Sequence, residues 1–163
     1  MIEVKATAFD AAIPATSFIL PAHAHVPGTG SEPDQPPLEA AKAMALPVTS
    51  EKTWTTNHTY IYGFTLVRAG FYWEAHEVWE AVWLASPPNS RERSLLRALI
   101  QTANAKLKCR MQRPHAASRL IAEAQHELAE LGVARGELLM GVDVFELLAE
   151  LELHAVELSE ARR

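Results

Sequence analysis

The chain has one cysteine, Cys109, among its 163 residues. An intrachain disulfide bond is therefore excluded. Such a low cysteine content is expected of a protein in a reducing compartment. No apolar run approaches the roughly 18 residues that a membrane-spanning helix needs. Asp10, Pro14 and Pro21 interrupt the weakly apolar N-terminus, which makes it a poor secretory signal. These absences predict a cytoplasmic protein that has no contact with a membrane.

Short catalytic motifs are also absent. The sequence contains no Gly-rich phosphate loop and no G-x-S-x-G motif. Lys106 and Arg110 lie near Cys109, but no base is paired with it, so the sequence does not predict a cysteine nucleophile. Charged residues make up 21% of the chain and its net charge is −5, as in an ordinary soluble domain. The absence of these catalytic motifs favours a non-enzymatic protein.

Proline is abundant at one end of the chain and scarce at the other. Seven of the ten prolines precede residue 50, and proline disfavours helix interiors. Residues 1–49 are therefore predicted to be a proline-rich, extended arm with at most one short helix, in "PPLEAAKAMAL", and a short strand at Ile2–Phe9. The arm contains apolar residues, so we expect it to pack on the helical body or on a neighbouring subunit; these are Phe9, Ile13, Phe18, Ile19 and Leu20.

From residue 50 onward, apolar residues recur at helical spacing. Gly70, "SPPN", Pro114, Gly132 and Gly141 punctuate this pattern. Asn89 or Ser90 can cap one helix, and Asp143 with Glu146 forms a capping box for the last. No strand alternation is visible here. Residues 50–163 are predicted to be an all-α bundle of about five helices: Trp54–Ala69, Phe71–Ala85, residue 90 to about Met111, His115–Leu131, and Asp143 to the end.

The second of these helices contains "GFYWEAHEVWEAVW", which combines aromatic and titratable residues. With 100° per residue, its apolar arc covers more than half of the circumference. His76 lies at the edge of that arc, and Glu80 lies one turn further on. The pattern predicts that both side chains face inward, where each needs a polar partner.

Several residues in and around this helix resemble domain-of-unknown-function family 309. The matching features are Tyr60, Gly63, Gly70, the run Glu74-Ala75-His76-Glu77 followed by Trp79-Glu80, Trp83, and Leu99-Ile100-Gln101. The resemblance covers about residues 57–131. It implies an all-helical bundle and no established activity.

Our first interpretation of the polar residues is a buried structural network. His76 would bond to Glu80, and Arg97 or Gln101 from the third helix would complete the network. Glu74 and Glu77 belong to the same candidate polar site. In this interpretation the protein is a binding or interaction module for an unknown protein or small molecule, and it has no cofactor.

The alternative interpretation is a metal site, in a metal-binding protein or a metal-dependent hydrolase. "HEVWE" is H-E-x-x-E, one ligand short of the zincin motif. His76 and Glu80 would bind a divalent metal, and Glu77 would act as the base. A third ligand must come from elsewhere, and the candidates are His58, His126 and His154. His154 is favoured among these because Glu150 lies one turn before it.

Charge and aromatic content suggest two further partners. Residues 91–113 hold seven basic residues against Glu92 alone, whereas the last helix is acidic. This basic helix could bind phosphate or RNA weakly, but the negative net charge and the lack of interleaved aromatics disfavour nucleic acid. The two helices could instead pair with each other or across a dimer. The aromatics of the second helix suggest a homodimer interface as one place where they become buried.

Overall fold

The computed structural model describes residues 16–30 and 34–161. In this part of the chain, six α-helices and one 3₁₀ turn surround a single core, which confirms the prediction of an all-α bundle. None of these helices combines the length and apolarity needed to cross a membrane. The helices are α1 Pro36–Ala43, α2 His58–Arg68, α3 Tyr72–Ala85, α4 Arg91–Arg110, α5 Pro114–Ala129 and α6 Val144–Glu160, and the 3₁₀ turn is Trp54–Thr56.

Side-chain caps fix several helix starts. The Ser90 hydroxyl accepts the Arg93 N–H at 3.1 Å, and Asp143 accepts the N–H groups of Phe145 and Glu146. The first bundle helix begins later than predicted, because the Asn57 side chain accepts the Tyr60 N–H and caps α2 there. The residues before Asn57 form the separate 3₁₀ turn instead of a first helical turn.

The core is centred on the contact between α2 and α3. The Trp79 ring is fully buried, and its Nε1 donates to the Tyr60 carbonyl at 3.0 Å. Gly63 lies directly under this ring, since a Cβ at that position would stand 2.0 Å from Trp79 Nε1. A glycine is therefore required for α2 and α3 to approach this closely.

A short hairpin lies in the region where the sequence shows no strand alternation. β1 Leu138–Leu139 pairs antiparallel with β2 Val142–Asp143, and Met140 and Gly141 both have positive φ. Tyr60 donates to the Met140 carbonyl at 2.9 Å, and the Glu51 carboxylate accepts the Met140 N–H. Strands of two residues are too short to produce alternation, and this hairpin is held by bonds to distant parts of the chain.

The described part of the arm packs on the bundle through Phe18, as predicted, but Ile19 and Leu20 are exposed. Phe9 and Ile13 lie outside the described residues. The Phe18 ring lies 5.1 Å from the Tyr62 ring, and the Tyr62 hydroxyl donates to the Ile19 carbonyl at 2.5 Å. The His25 ring meets Trp73 edge-on at 4.7 Å. Helix α1, in the described part of the arm, packs against α2 and α3. The strand predicted at Ile2–Phe9 lies outside the described residues.

Candidate functional site

Two neighbouring open cavities lie along α4; α3 borders both of them, and α5 borders one. Their floor is one face of α4, because residues spaced by three or four positions share a helix face; it consists of Arg97, Gln101, Asn104 and Lys108. One cavity of about 300 Å³ is lined by His76, Trp73, Asn104, Lys108 and Arg119, together with Pro27, Leu107 and Leu120. A second, of about 360 Å³, is lined by Glu80, Trp83, Arg97, Ile100 and Gln101. We call this surface the α4 groove.

Three side chains of α3 come together at this groove. His76, Glu77 and Glu80 can each offer one ligand atom such that all three atoms lie within 4.8 Å of one another. His76 Nδ1 lies 3.9 Å from Glu77 Oε1, and His76 Nε2 lies 3.8 Å from Glu80 Oε2. Imidazole and carboxylate are both common metal ligands. We refer to the three residues as the His76 cluster.

Helix α1 supports the His76 cluster from the side opposite the groove. Lys42 Nζ lies 3.4 Å from Glu77 Oε2. Burial disfavours the Lys42 charge, but the carboxylates of Glu77 and Glu39 outweigh burial and raise the pKa of Lys42. Lys42 therefore remains a cation that holds one oxygen of Glu77, while the other oxygen faces His76.

The prediction that Glu80 faces inward is wrong, because its side chain is 47% exposed. His76 is half-buried, with 25% of its side chain exposed, and its 3.8 Å separation from Glu80 is too long for a hydrogen bond. Arg97 and Gln101 do not complete a network with them either. Gln101 donates to Glu123 at 2.7 Å, and Arg97 pairs with Glu127 at 3.3 Å, both on α5. The edge of the apolar arc of α3 lies at the open groove, where none of the described helices covers it.

The buried polar centre belongs to Glu74 instead. This residue is fully buried, and its Oε1 accepts the His25 N–H at 2.7 Å and the Gln35 side-chain N–H at 2.8 Å. Gln35 also donates to the His23 carbonyl at 3.3 Å. Burial, followed by the Glu74 charge, raises the pKa of Tyr62 to about 12. Glu74 thus binds the arm. Sequence reasoning missed Gln35 and His25, and a backbone donor such as the His25 N–H leaves no signal in the sequence.

The predicted third metal ligand does not reach the His76 cluster. His154 is half-buried on α6, where burial and then the nearby Lys106 charge lower its pKa. Across residues 16–30 and 34–161, the only group of three potential ligands close enough for one ion is the His76 cluster itself. His58 and His126 lie outside it as well. Glu77, which was predicted to be the base, is therefore the third candidate ligand.

Most of the basic residues of α4 are occupied within the chain. Arg93 donates to the carbonyls of Trp83 and Ser86 at 2.7 Å each, and so satisfies the C-terminal end of α3. Five of the seven basic residues at 91–113 have such partners: Arg91 with Glu137, Arg93 with α3, Arg97 with Glu127, Lys106 with Glu150, and Arg110 with the Gly70 carbonyl. Among these five, only the Lys106–Glu150 pair links α4 to the acidic α6. Three of the five are paired with carboxylates, whereas Arg93 and Arg110 bind neutral carbonyls. That nucleic acid is disfavoured stays a prediction.

The fold and the groove define a small helical-bundle domain with a histidine–carboxylate cluster open to solvent. Residues 60–120 match the family described as "Domain of unknown function (DUF309)", which confirms the resemblance seen in the sequence. The matched segment contains α2, α3, α4 and the beginning of α5, and so includes the His76 cluster and the groove floor. No curated protein and no solved structure matches the chain.

Proposed function

We propose that this domain is a binding module whose α4 groove holds a divalent metal ion on the His76 cluster. The observation that carries the proposal is the convergence of one imidazole and two carboxylates within 4.8 Å on an accessible surface. Zinc is commonly held by three such protein ligands at about 2.0–2.2 Å, with the fourth position open to water or a ligand. The groove supplies that open side.

Metal binding requires the side chains of the His76 cluster to close in from their present positions. Two ligand atoms on a tetrahedral zinc ion stand roughly 3.3 Å apart, given bonds of about 2.0–2.1 Å. The ligand atoms of the cluster lie within 4.8 Å of one another, so the widest pair must close by up to about 1.5 Å. His76 meets Glu77 through Nδ1 and Glu80 through Nε2, and only one of these two nitrogens can bind the ion. Lys42 holds the second oxygen of Glu77, and such outer contacts orient metal ligands.

The same geometry favours binding over hydrolysis. The hydrolase interpretation needs Glu77 as a general base, which must act on a metal-bound water. Here Glu77 is the third candidate ligand, because His154 lies elsewhere. A carboxylate that binds the metal is not free to accept a proton from the metal-bound water. We therefore propose a metal-dependent binding function, and hydrolysis would require a further ligand or base.

The test is metal analysis of the full chain, purified without chelator or nickel affinity, followed by calorimetric titration with Zn²⁺ and Mn²⁺. His76→Ala and Glu80→Gln should each weaken binding by at least 10- to 100-fold, since even outer contacts of a metal site contribute that much. The matched controls are His126→Ala on α5 and Glu152→Gln on α6, both exposed; they should bind like the wild type.

Two results would overturn the proposal. One is a wild-type chain that contains no metal and shows no saturable binding of either ion. The other is an equal loss of affinity in the control variants, because the ion would then be bound by general surface charge and not by the His76 cluster.

A further inference from the structure

We infer that the end of the α4 groove beside His76 is an oxyanion subsite, which binds the carboxylate or phosphate group of a small ligand through Lys108, Asn104 and Arg119. The inference builds on the groove of the proposed function and names the class of ligand. Its basis is the cavity of about 300 Å³ that these three residues line together with His76. Among residues 16–30 and 34–161, no aspartate or glutamate lines this cavity, although the protein as a whole is acidic.

The polar groups of this cavity are available to a ligand. Lys108 and Asn104 are half-buried, and within residues 16–30 and 34–161 neither side chain has a hydrogen-bond or ion-pair partner. They differ in this from Arg93, Arg97 and Lys106, which are bound to carbonyls or carboxylates. A cation that is partly removed from water is stabilised by an anion that restores its lost interactions. An oxyanion provides that charge and accepts hydrogen bonds from the lysine, amide and guanidinium groups.

Arg119 adds a second positive charge that is only loosely held. Its one ion pair, with Glu123, spans 3.7 Å, and its side chain is 74% exposed. An exposed pair of this kind contributes little, so the guanidinium can turn toward an anion in the cavity at small cost. A metal ion on the adjacent His76 cluster would add further positive charge to the same end of the groove.

The rest of the lining is apolar. Trp73, Leu107, Leu120 and Pro27 form the wall around the polar groups, and the cavity is at the lower end of the size range of small-molecule sites. An aromatic or aliphatic body attached to the anion would contact Trp73. The chemistry therefore fits a small aryl or alkyl acid and not a bare ion.

The probes are phenyl phosphate and benzoate, which carry the same ring on two different oxyanions. Each is titrated into the ¹⁵N-labelled full chain, both metal-free and after addition of Zn²⁺. The side-chain amide signals of Asn104 report on the cavity directly. Saturable shifts of these signals are expected with at least one probe, and the tighter probe identifies phosphate or carboxylate as the preferred group.

Variants at Lys108 test its role. Lys108→Met should weaken binding of the better probe by about tenfold or more, because a hydrogen bond to a charged group is lost. Lys108→Arg should retain most of the affinity, since it keeps the charge. Lys52→Met, at an exposed position outside the groove, removes the same charge and should bind like the wild type.

The outcomes separate this inference from the metal proposal. Lys108-dependent binding to the metal-free chain supports the subsite even if no metal binds to the His76 cluster. The subsite is refuted if neither probe shifts the Asn104 amide signals in either state, even when metal binding is intact. Equal affinity of Lys108→Met and the wild type also refutes it.

Discussion

The carboxylate of Glu74 should control whether the arm stays on the bundle, and Glu74→Gln tests this without changing the shape of the side chain. One oxygen of Glu74 accepts both the His25 N–H and a Gln35 side-chain N–H. A hydrogen bond to a charged group contributes about 1.5–3 kcal/mol, against about 0.5–1.5 kcal/mol for a neutral pair. Two such bonds should lose about 2 kcal/mol in total when the acceptor becomes a neutral amide.

The loss should appear locally, in hydrogen exchange of the His25 amide. A change of about 2 kcal/mol in the free energy of local opening makes exchange about 30-fold faster, since 1.36 kcal/mol corresponds to a factor of ten. Global stability should change less, because the amide is less costly to bury than the carboxylate. Exchange measured by mass spectrometry or NMR therefore discriminates better than a melting temperature does.

Glu39→Gln is the matched control, since Glu39 is an exposed carboxylate on the neighbouring α1. It should leave exchange of the His25 amide unchanged. If Glu74→Gln also leaves that exchange rate within a factor of two of the wild type, the two hydrogen bonds do not hold the arm. Release of the arm would also remove Pro27 from the wall of the groove, so Glu74 connects arm docking to the shape of the candidate site.

Two further predictions concern the core and the alkaline limit of the fold. Gly63→Ala should destabilise the protein by about 2 kcal/mol in urea unfolding, because crowding against Trp79 exceeds the helix-propensity gain of about 1 kcal/mol; a stability equal to or above that of the wild type would contradict the close approach. The pKa of Tyr62, about 12 in the folded state, lies above its ordinary value of about 10, so its stabilising contribution is complete below pH 10 and is lost as the pH rises toward 12. Tyrosinate absorbance of the wild type minus that of Tyr62→Phe should show a step near pH 12, and a step near pH 10 would contradict the burial of this hydroxyl.

Local signals in the sequence were sufficient for the helices of the bundle. Gly70 ends the α2 segment with positive φ, Ser90 caps α4, and Pro114 opens α5, all as predicted. These residues act through their own backbone geometry or through bonds to neighbours in sequence. The hairpin at residues 138–143 escaped prediction because its turn is held by Tyr60 and Glu51, which lie 80 and 89 positions from Met140.

The sequence predicted which residues form the candidate site, but it did not predict which of them are buried. The sequence identified Glu74, His76, Glu77 and Glu80 as one polar set, yet only Glu74 is buried. Helical periodicity gives the angle of a side chain around its own helix, but burial depends on what covers that angle. The arm covers Glu74, whereas His76 and Glu80 lie beside cavities that stay open among the described residues. The expected homodimer stays a prediction.

The mixed composition of α3 is explained by its neighbours, which differ from one face of the helix to the next. Ala75, Val78, Trp79 and Val82 form its core face, and Glu74 points to the arm. Glu77 meets Lys42 of α1, and the remaining edge, with Trp73, His76, Glu80 and Trp83, lines the groove. Aromatic and titratable residues therefore share one helix because α3 lies between the core, the arm and an open surface. Within the described residues, His76 and Glu80 at the open edge have ion-pair contacts only inside the His76 cluster, and this is why we propose the binding function there.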